Sequence, residues 1–151
     1  MISRRSALIG AGVSAMALAV PATAAEDNTA NKATAQRYID EVLNNGNTAI
    51  LAEIVSPDYV SPNPDDAPGI DAYKARLDSK LQTDSYLLKH IKYSADDIAV
   101  KSPNVFVRGY VTGTSTQGKA IKALYFIEFA FKDGLIVTDW LLRDETAVMG
   151  F

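Results

Sequence analysis

The sequence predicts a single α+β domain, with helices first and a run of antiparallel strands after. Apolar residues recur at helical spacing to about residue 81 and alternate after it. The two patterns are segregated rather than interleaved as in βαβ units, and no Gly-rich phosphate loop occurs. The 151 residues are 48% hydrophobic and 22% charged, which suits one globular domain with one core.

The first segment stands apart. Met1 to Ala24 contains no acid and two bases, Arg4 and Arg5. An apolar run from Ala7 to Val20 follows, then the small-residue pattern Pro21-Ala22-Thr23-Ala24. This is the order of a secretory signal peptide, and the run is short for a membrane span. Ser3-Arg4-Arg5 with Leu8 resembles a twin-arginine signal, although Ala7 stands where that pattern prefers an aromatic. The expectation is an exported bacterial protein, periplasmic or secreted, with signal 1–24, flexible lead-in 25–31 and domain 32–151. Loss of Arg4 and Arg5 takes the net charge from −3 to −5. That disfavours nucleic acid and anionic membrane surfaces as partners. With no cysteine, disulfides and thiolate chemistry are excluded.

Helix one is expected from about Lys32 to Asn44, with Ala35, Tyr38, Ile39, Val42 and Leu43 on one face. Asn45-Gly46 ends it, and Asn47 can cap a second, short helix. Pro57, Pro62, Pro64 and Pro68 mark an irregular loop that contains the extended pair Tyr59-Val60. A third helix is expected from about Ile70 to Leu81, with Tyr73, Leu77 and Leu81 inward. Four strand regions follow: Tyr86 to Lys101, interrupted at Ala95-Asp96-Asp97, then Val105 to Thr114, Lys119 to Lys132 and Leu135 to Asp144.

Asp133-Gly134 signals a two-residue hairpin that pairs Lys132 with Leu135. In a regular ladder Phe129 then faces Thr138, Ile127 faces Trp140, Tyr125 faces Leu142 and Ala123 faces Asp144. A four-residue loop from Ser115 to Gly118 sets Tyr110 opposite Ala123, Arg108 opposite Tyr125 and Phe106 opposite Ile127. One face thus collects Phe106, Ile127, Phe129, Trp140 and Leu142 beside a polar set of Arg108, Tyr110, Tyr125 and Asp144. This is the plan of a small-molecule pocket, and equally of an ion pair with tyrosines at a sheet rim. The opposite face is also apolar, and a second copy of the chain is its expected cover. Glu128 opposes Asp139 in this register, a repulsive pair unless a cation or a bulge intervenes.

These elements carry a resemblance. Ser56-Pro57-Asp58-Tyr59-Val60, Asn63-Pro64 and Gly69, then a helix and long strands with Asp133-Gly134 and Trp140 to Asp144, resemble the SnoaL-like polyketide cyclases of the NTF2-like superfamily. The resemblance spans about Lys32 to Phe151. It implies an NTF2-like (cystatin-like) cone, three N-terminal helices wrapped by a strongly bent antiparallel sheet around an apolar pocket, often dimeric across the outer sheet face. It further implies that Asp144 is the general acid/base, with Tyr125, Tyr110 or Arg108 stabilising an enolate. Tyr38 and Tyr59 would line the pocket from the helical side.

The sequence departs from the family at several positions. Pro62 and Ser115 stand where related chains often carry histidine. Ser61 falls where the steroid isomerase branch has its base, and Tyr110 where the epoxide hydrolase branch has an aspartate. His90, the only histidine, is a weak catalytic candidate on a strand. Asp65-Asp66 and Asp96-Asp97 read as solvated loops, so no metal and no cofactor is expected.

Three functions fit. One is an exported cyclase, isomerase or hydrolase of a small hydrophobic carbonyl compound. Another is a non-catalytic hydrophobic-ligand module. The last is a dimeric interaction module. The missing histidines favour the binding module, and Asp144 favours the enzyme.

Overall fold

A computed structural model describes residues 22–149. Helix α1 (Ala22–Arg37) runs directly into a π-helical turn, Tyr38–Leu43. Together they bury the expected face of Ala35, Tyr38, Ile39, Val42 and Leu43. Residues 25–31, expected as a flexible lead-in, are helical. The expected export segment lies outside the described residues up to residue 21. A 3₁₀ turn, Thr48–Ile50, leads into α2 (Leu51–Ile54). Asn47 holds the capping position there but makes no side-chain cap bond.

Helix α3 (Ile70–Leu87) is six residues longer than its apolar face alone suggests. The extension holds a one-turn ion pair, Lys80 Nζ to Asp84 Oδ2 at 2.7 Å. Ser85 Oγ donates to the Leu81 carbonyl one turn back. The β-prone string Tyr86-Leu87-Leu88 therefore ends the helix and begins β1 rather than forming strand throughout.

Five strands make one antiparallel sheet: β1 (Leu88–Tyr93), β2 (Asp97–Lys101), β3 (Asn104–Ser115), β4 (Ala120–Lys132) and β5 (Leu135–Arg143). Both β1 and β2 pair with β3, then β4 and β5 follow outward, so β5 is an edge. A short helix α4 (Glu145–Met149) follows β5. The sheet curls as a half-barrel around the N-terminal helices. The core lies between them.

Strand β4 keeps the expected parity. Ile121, Ala123, Tyr125, Ile127, Phe129 and Phe131 all face the core. Each fully buried large apolar side chain contributes roughly 1.5–3 kcal/mol, so a slip of β4 is prohibitive.

Both neighbours of β4 are displaced by one residue from the expected register. Ser115 pairs across the β3–β4 hairpin with Lys119, so the loop has three residues rather than four. Its last residue, Gly118, takes φ +81°, which closes such a loop without strain. Tyr110 consequently faces Leu124, Arg108 faces Phe126 and Phe106 faces Glu128. On the other side the Asp133-Gly134 turn does pair Lys132 with Leu135. The ladder then steps from Phe131–Ile136 to Ala130–Thr138, leaving Val137 as an extra residue. Beyond this bulge Phe129 faces Asp139, Ile127 faces Leu141 and Tyr125 faces Arg143. The bulge is pinned from outside: the Ser56 N–H donates to the Ile136 carbonyl at 2.9 Å and the Val60 N–H to the Val137 carbonyl at 3.0 Å.

The curl also needs a close backbone approach. The segment Ser94-Ala95-Asp96 separates β1 from β2, near the expected interruption, and crosses Gly109 of β3. A Cβ on Gly109 would lie 1.7 Å from the Ser94 carbonyl oxygen, a backbone atom that cannot step aside. The same carbonyl accepts from Tyr125 Oη at 2.8 Å. Gly109→Ala is therefore expected to cost about 3 kcal/mol or more, read as a lowered urea midpoint. An unchanged midpoint would contradict this packing.

Candidate active site

The displaced registers decide which side chains meet inside. A cavity of about 280 Å³ opens between α3, the loop after α2 and the end of β5. Tyr38, Tyr59, Tyr73, Arg76, Lys80 and Asp139 line it, and Ser61, Asn63 and Asp66 add polar groups from the loop. Tyr38 comes from the π-helical turn, Tyr73 and Arg76 from α3, Tyr59 from the proline-rich loop and Asp139 from β5.

Tyr59 Oη donates to Asp139 Oδ1 at 2.6 Å. Tyr38 and Tyr73 join hydroxyl to hydroxyl at 2.7 Å. The rings of Tyr59 and Tyr73 stack with centroids 4.1 Å apart, and Tyr38 packs edge-on against Phe129 at 5.0 Å. The Arg76 guanidinium sits 5.6 Å above the Tyr73 ring and pairs with Asp66 at 3.1 Å. Asp66 also accepts from Ser61 Oγ at 2.6 Å, which straps the loop over the cavity mouth.

Burial raises the Asp139 carboxyl above the usual carboxylate range. The hydroxyls of Tyr59 and Tyr73 and the charge of Arg76 pull the other way without cancelling it. Burial and the nearby Asp139 charge raise all three tyrosines, so they stay neutral donors at physiological pH. A carboxyl of raised pKa beside neutral phenols, in a largely apolar cleft, is equipped to accept and return a proton.

The other sequence candidates occupy different places. Tyr38 and Tyr59 line the cavity as expected, and Ile127 and Phe129 lie in the core behind it. Tyr125 is buried, but its hydroxyl is held by the Ser94 carbonyl. Arg108, Tyr110, Phe106, Trp140, Leu142 and Asp144 are not inside. Arg108 is 62% exposed and pairs with Asp97 at 3.4 Å. Tyr110 packs under Lys122, whose Nζ lies 4.0 Å from the ring centroid. Phe106 meets Phe126 on the outer face at 6.0 Å. Trp140 and Leu142 are more than half exposed. Asp144 is exposed and caps α4, accepting from the Ala147 N–H at 3.1 Å. His90 is exposed at a bulge in β1 with φ 54°. Among the described residues no group of three or more His, Asp or Glu is placed to hold a metal.

Sequence reasoning put Asp139 on the outer face. The signal that could have found it was the repulsive Glu128–Asp139 pairing, which a bulge relieves. In the structure Glu128 lies opposite Trp140 and Asp139 opposite Phe129.

A model of the SnoaL-like polyketide cyclases matches residues 33–150. The chain belongs to this family. Solved structures agree on the SnoaL-like fold. TsrD from Streptomyces laurentii is 18% identical, with 80% of this chain and 92% of that one covered at a TM-score of 0.66. A Bacillus cereus protein assigned as a polyketide cyclase is 22% identical, with 81% and 79% covered at 0.68. AclR from Streptomyces galilaeus, assigned as a hydroxylase, is 17% identical, with 81% and 80% covered at 0.65. No curated protein matches the chain. At these identities the likeness establishes the fold, and the chemistry of this SnoaL-like chain is argued from its own cavity.

The environment of Asp139 has a consequence for stability. Between the unfolded carboxylate value and the raised folded one, the native state holds more protons than the unfolded state. Stability therefore falls as pH rises through that window. Asp139→Asn cannot ionise, so its Tm is expected to exceed that of the wild type at pH 7 and to lose this slope. Melting curves from pH 4 to 8 check both, and a variant with a lower Tm at pH 7 would contradict the assignment.

Proposed function

We propose that the chain is an exported acid/base catalyst of the cyclase or isomerase kind, acting on a small hydrophobic carbonyl compound. The observation that carries this is Asp139, raised by burial and hydrogen-bonded to Tyr59 inside a largely apolar cavity. The ionised Asp139 takes a proton from the carbon beside the substrate carbonyl. The electron pair moves onto the carbonyl oxygen as an enolate, and Tyr59 or Tyr73 donates a hydrogen bond to it. Asp139 then returns the proton to carbon or oxygen, which closes the cycle with no external oxidant or reductant.

The test uses 2-tetralone, a compact apolar ketone with acidic α protons. Exchange of those protons in deuterium oxide, followed by NMR, is expected to be accelerated by the wild type. Asp139→Asn should reduce the rate about 10²–10⁴-fold. The wild-type pH profile should bend above the ordinary carboxylate range. If wild type and variant exchange equally slowly, the reading falls to the non-catalytic ligand module.

Two further expectations belong to this reading. Residues 1–24 act as the export signal, of twin-arginine type. The outer sheet face joins two copies around Leu124, Phe126 and Leu142, which are exposed and contiguous across β4 and β5. Arg108, Lys122 and Glu128 rim the patch with both signs of charge, so it can complement itself about a two-fold axis. The species recovered from the periplasm is expected to lack residues 1–24 by mass spectrometry and to sediment at twice the mature mass. A full-length monomer would refute both.

A further inference from the structure

Two more hollows adjoin the cavity that holds Asp139. One, of about 190 Å³, is walled by Pro62, Ala130, Asp139 and Trp140, with Glu128 and Thr138 at its border. The other, of about 450 Å³, is walled by Pro62, Asn63, Pro64, Trp140 and Leu141. Pro62 belongs to all three spaces, and Asp139 and Leu141 each connect the inner cavity to one outer hollow. The inner cavity and the two outer hollows therefore lie side by side around the edge of β5 beneath Pro62, with Asp139 on the inner side and Trp140 on the outer.

Adjacent strand residues point to opposite faces, so Asp139 and Trp140 present one carboxyl inward and one indole outward from neighbouring positions. Trp140 is 52% exposed, although an indole offers more apolar area than most side chains in the core. It sits at the margin of the outer apolar patch, opposite Glu128. The loop facing it is pre-set. Pro62 and Pro64 fix two backbone torsions, the Val60 N–H holds the Val137 carbonyl, and Asp66 ties Ser61 to Arg76. A slot of proline rings, indole, leucine and Asn63 held this way binds at a reduced ordering cost.

We infer that Trp140, Pro62 and Pro64 form an outer subsite that holds the apolar tail of a ligand whose polar end reaches Asp139. The inference rests on the proposed use of the inner cavity and adds to it a substrate class: elongated apolar molecules with one polar end. Trp140 acts in it as a specificity-determining residue that reads length.

Trp140 is the only tryptophan in the chain, so indole fluorescence reports on this one position. The probes are 4-ethylphenol, which the inner cavity can hold, and 4-octylphenol, which must extend beyond it. In the wild type 4-octylphenol is expected to shift Trp140 emission to the blue, and 4-ethylphenol to leave it unchanged. By calorimetry Trp140→Ala should weaken 4-octylphenol at least fivefold and 4-ethylphenol less than twofold. The variant replaces an exposed side chain, and circular dichroism verifies its fold. If 4-ethylphenol binds and the variant weakens both probes equally, or neither, the inner site stands and the subsite is overturned. If neither probe binds the wild type, both fall. If the emission follows protein concentration and ignores 4-octylphenol, the indole belongs to a subunit interface and the subsite is overturned.

Discussion

The site depends on a single extra residue. Val137 bulges from β5, and every side chain beyond it exchanges faces with its neighbour. Asp139, Leu141 and Arg143 turn inward, while Trp140 and Leu142 turn outward. The bulge is held because its carbonyl has a partner, the Val60 N–H, in the same loop that carries Tyr59. One contact thus sets the strand register and delivers the phenol that bonds Asp139. Loop and strand position each other, so the acid and its donor arrive together.

Two inward-facing acids show how environment separates structural from chemical carboxylates. Asp84 works against burial too, but Arg143 grips both its oxygens at 2.9 and 3.0 Å and Lys80 adds a third bond at 2.7 Å. Its pKa falls below the usual range. Tyr93, bonded to the same cluster, is pushed up to about 12. Such a fully matched group joins α3 to β5 and has no reason to exchange a proton. Asp139 has phenols instead of a bonded cation, and burial holds its carboxyl above the usual carboxylate range. The contrast follows from the bulge as well, because the shifted register brings Arg143 inward to meet Asp84.

Much of the architecture was legible in the chain. Apolar spacing located α1 and the core face of β4, and Asp133-Gly134 located the β4–β5 turn, since those features depend on composition and period. The faces of β3 and β5 were not legible, because they depend on counts of one residue. A three-residue loop ending in Gly118 and a four-residue loop contain the same letters. Val137 is an ordinary strand residue, and nothing in its identity marks it as surplus. Only the enforced Glu128–Asp139 repulsion registered the error. Asp144 was drawn into the expected pocket for the same reason, whereas in the structure it ends β5 and caps α4. The role of Tyr125 was hidden differently: its face was right, but a backbone carbonyl from a distant break in the sheet holds its hydroxyl.

The π-helical turn at Tyr38–Leu43 faces the same cavity from the helical side. A π turn carries one residue more than the α-helix it interrupts, as a bulge carries one more than its ladder. The cleft is thus bracketed by two surpluses of chain length. Point substitutions can retune its polarity and volume, but the direction in which Asp139 looks is set by counting. A chain that kept every cavity residue but lost the extra residue at Val137 would turn its acid outward and its indole inward.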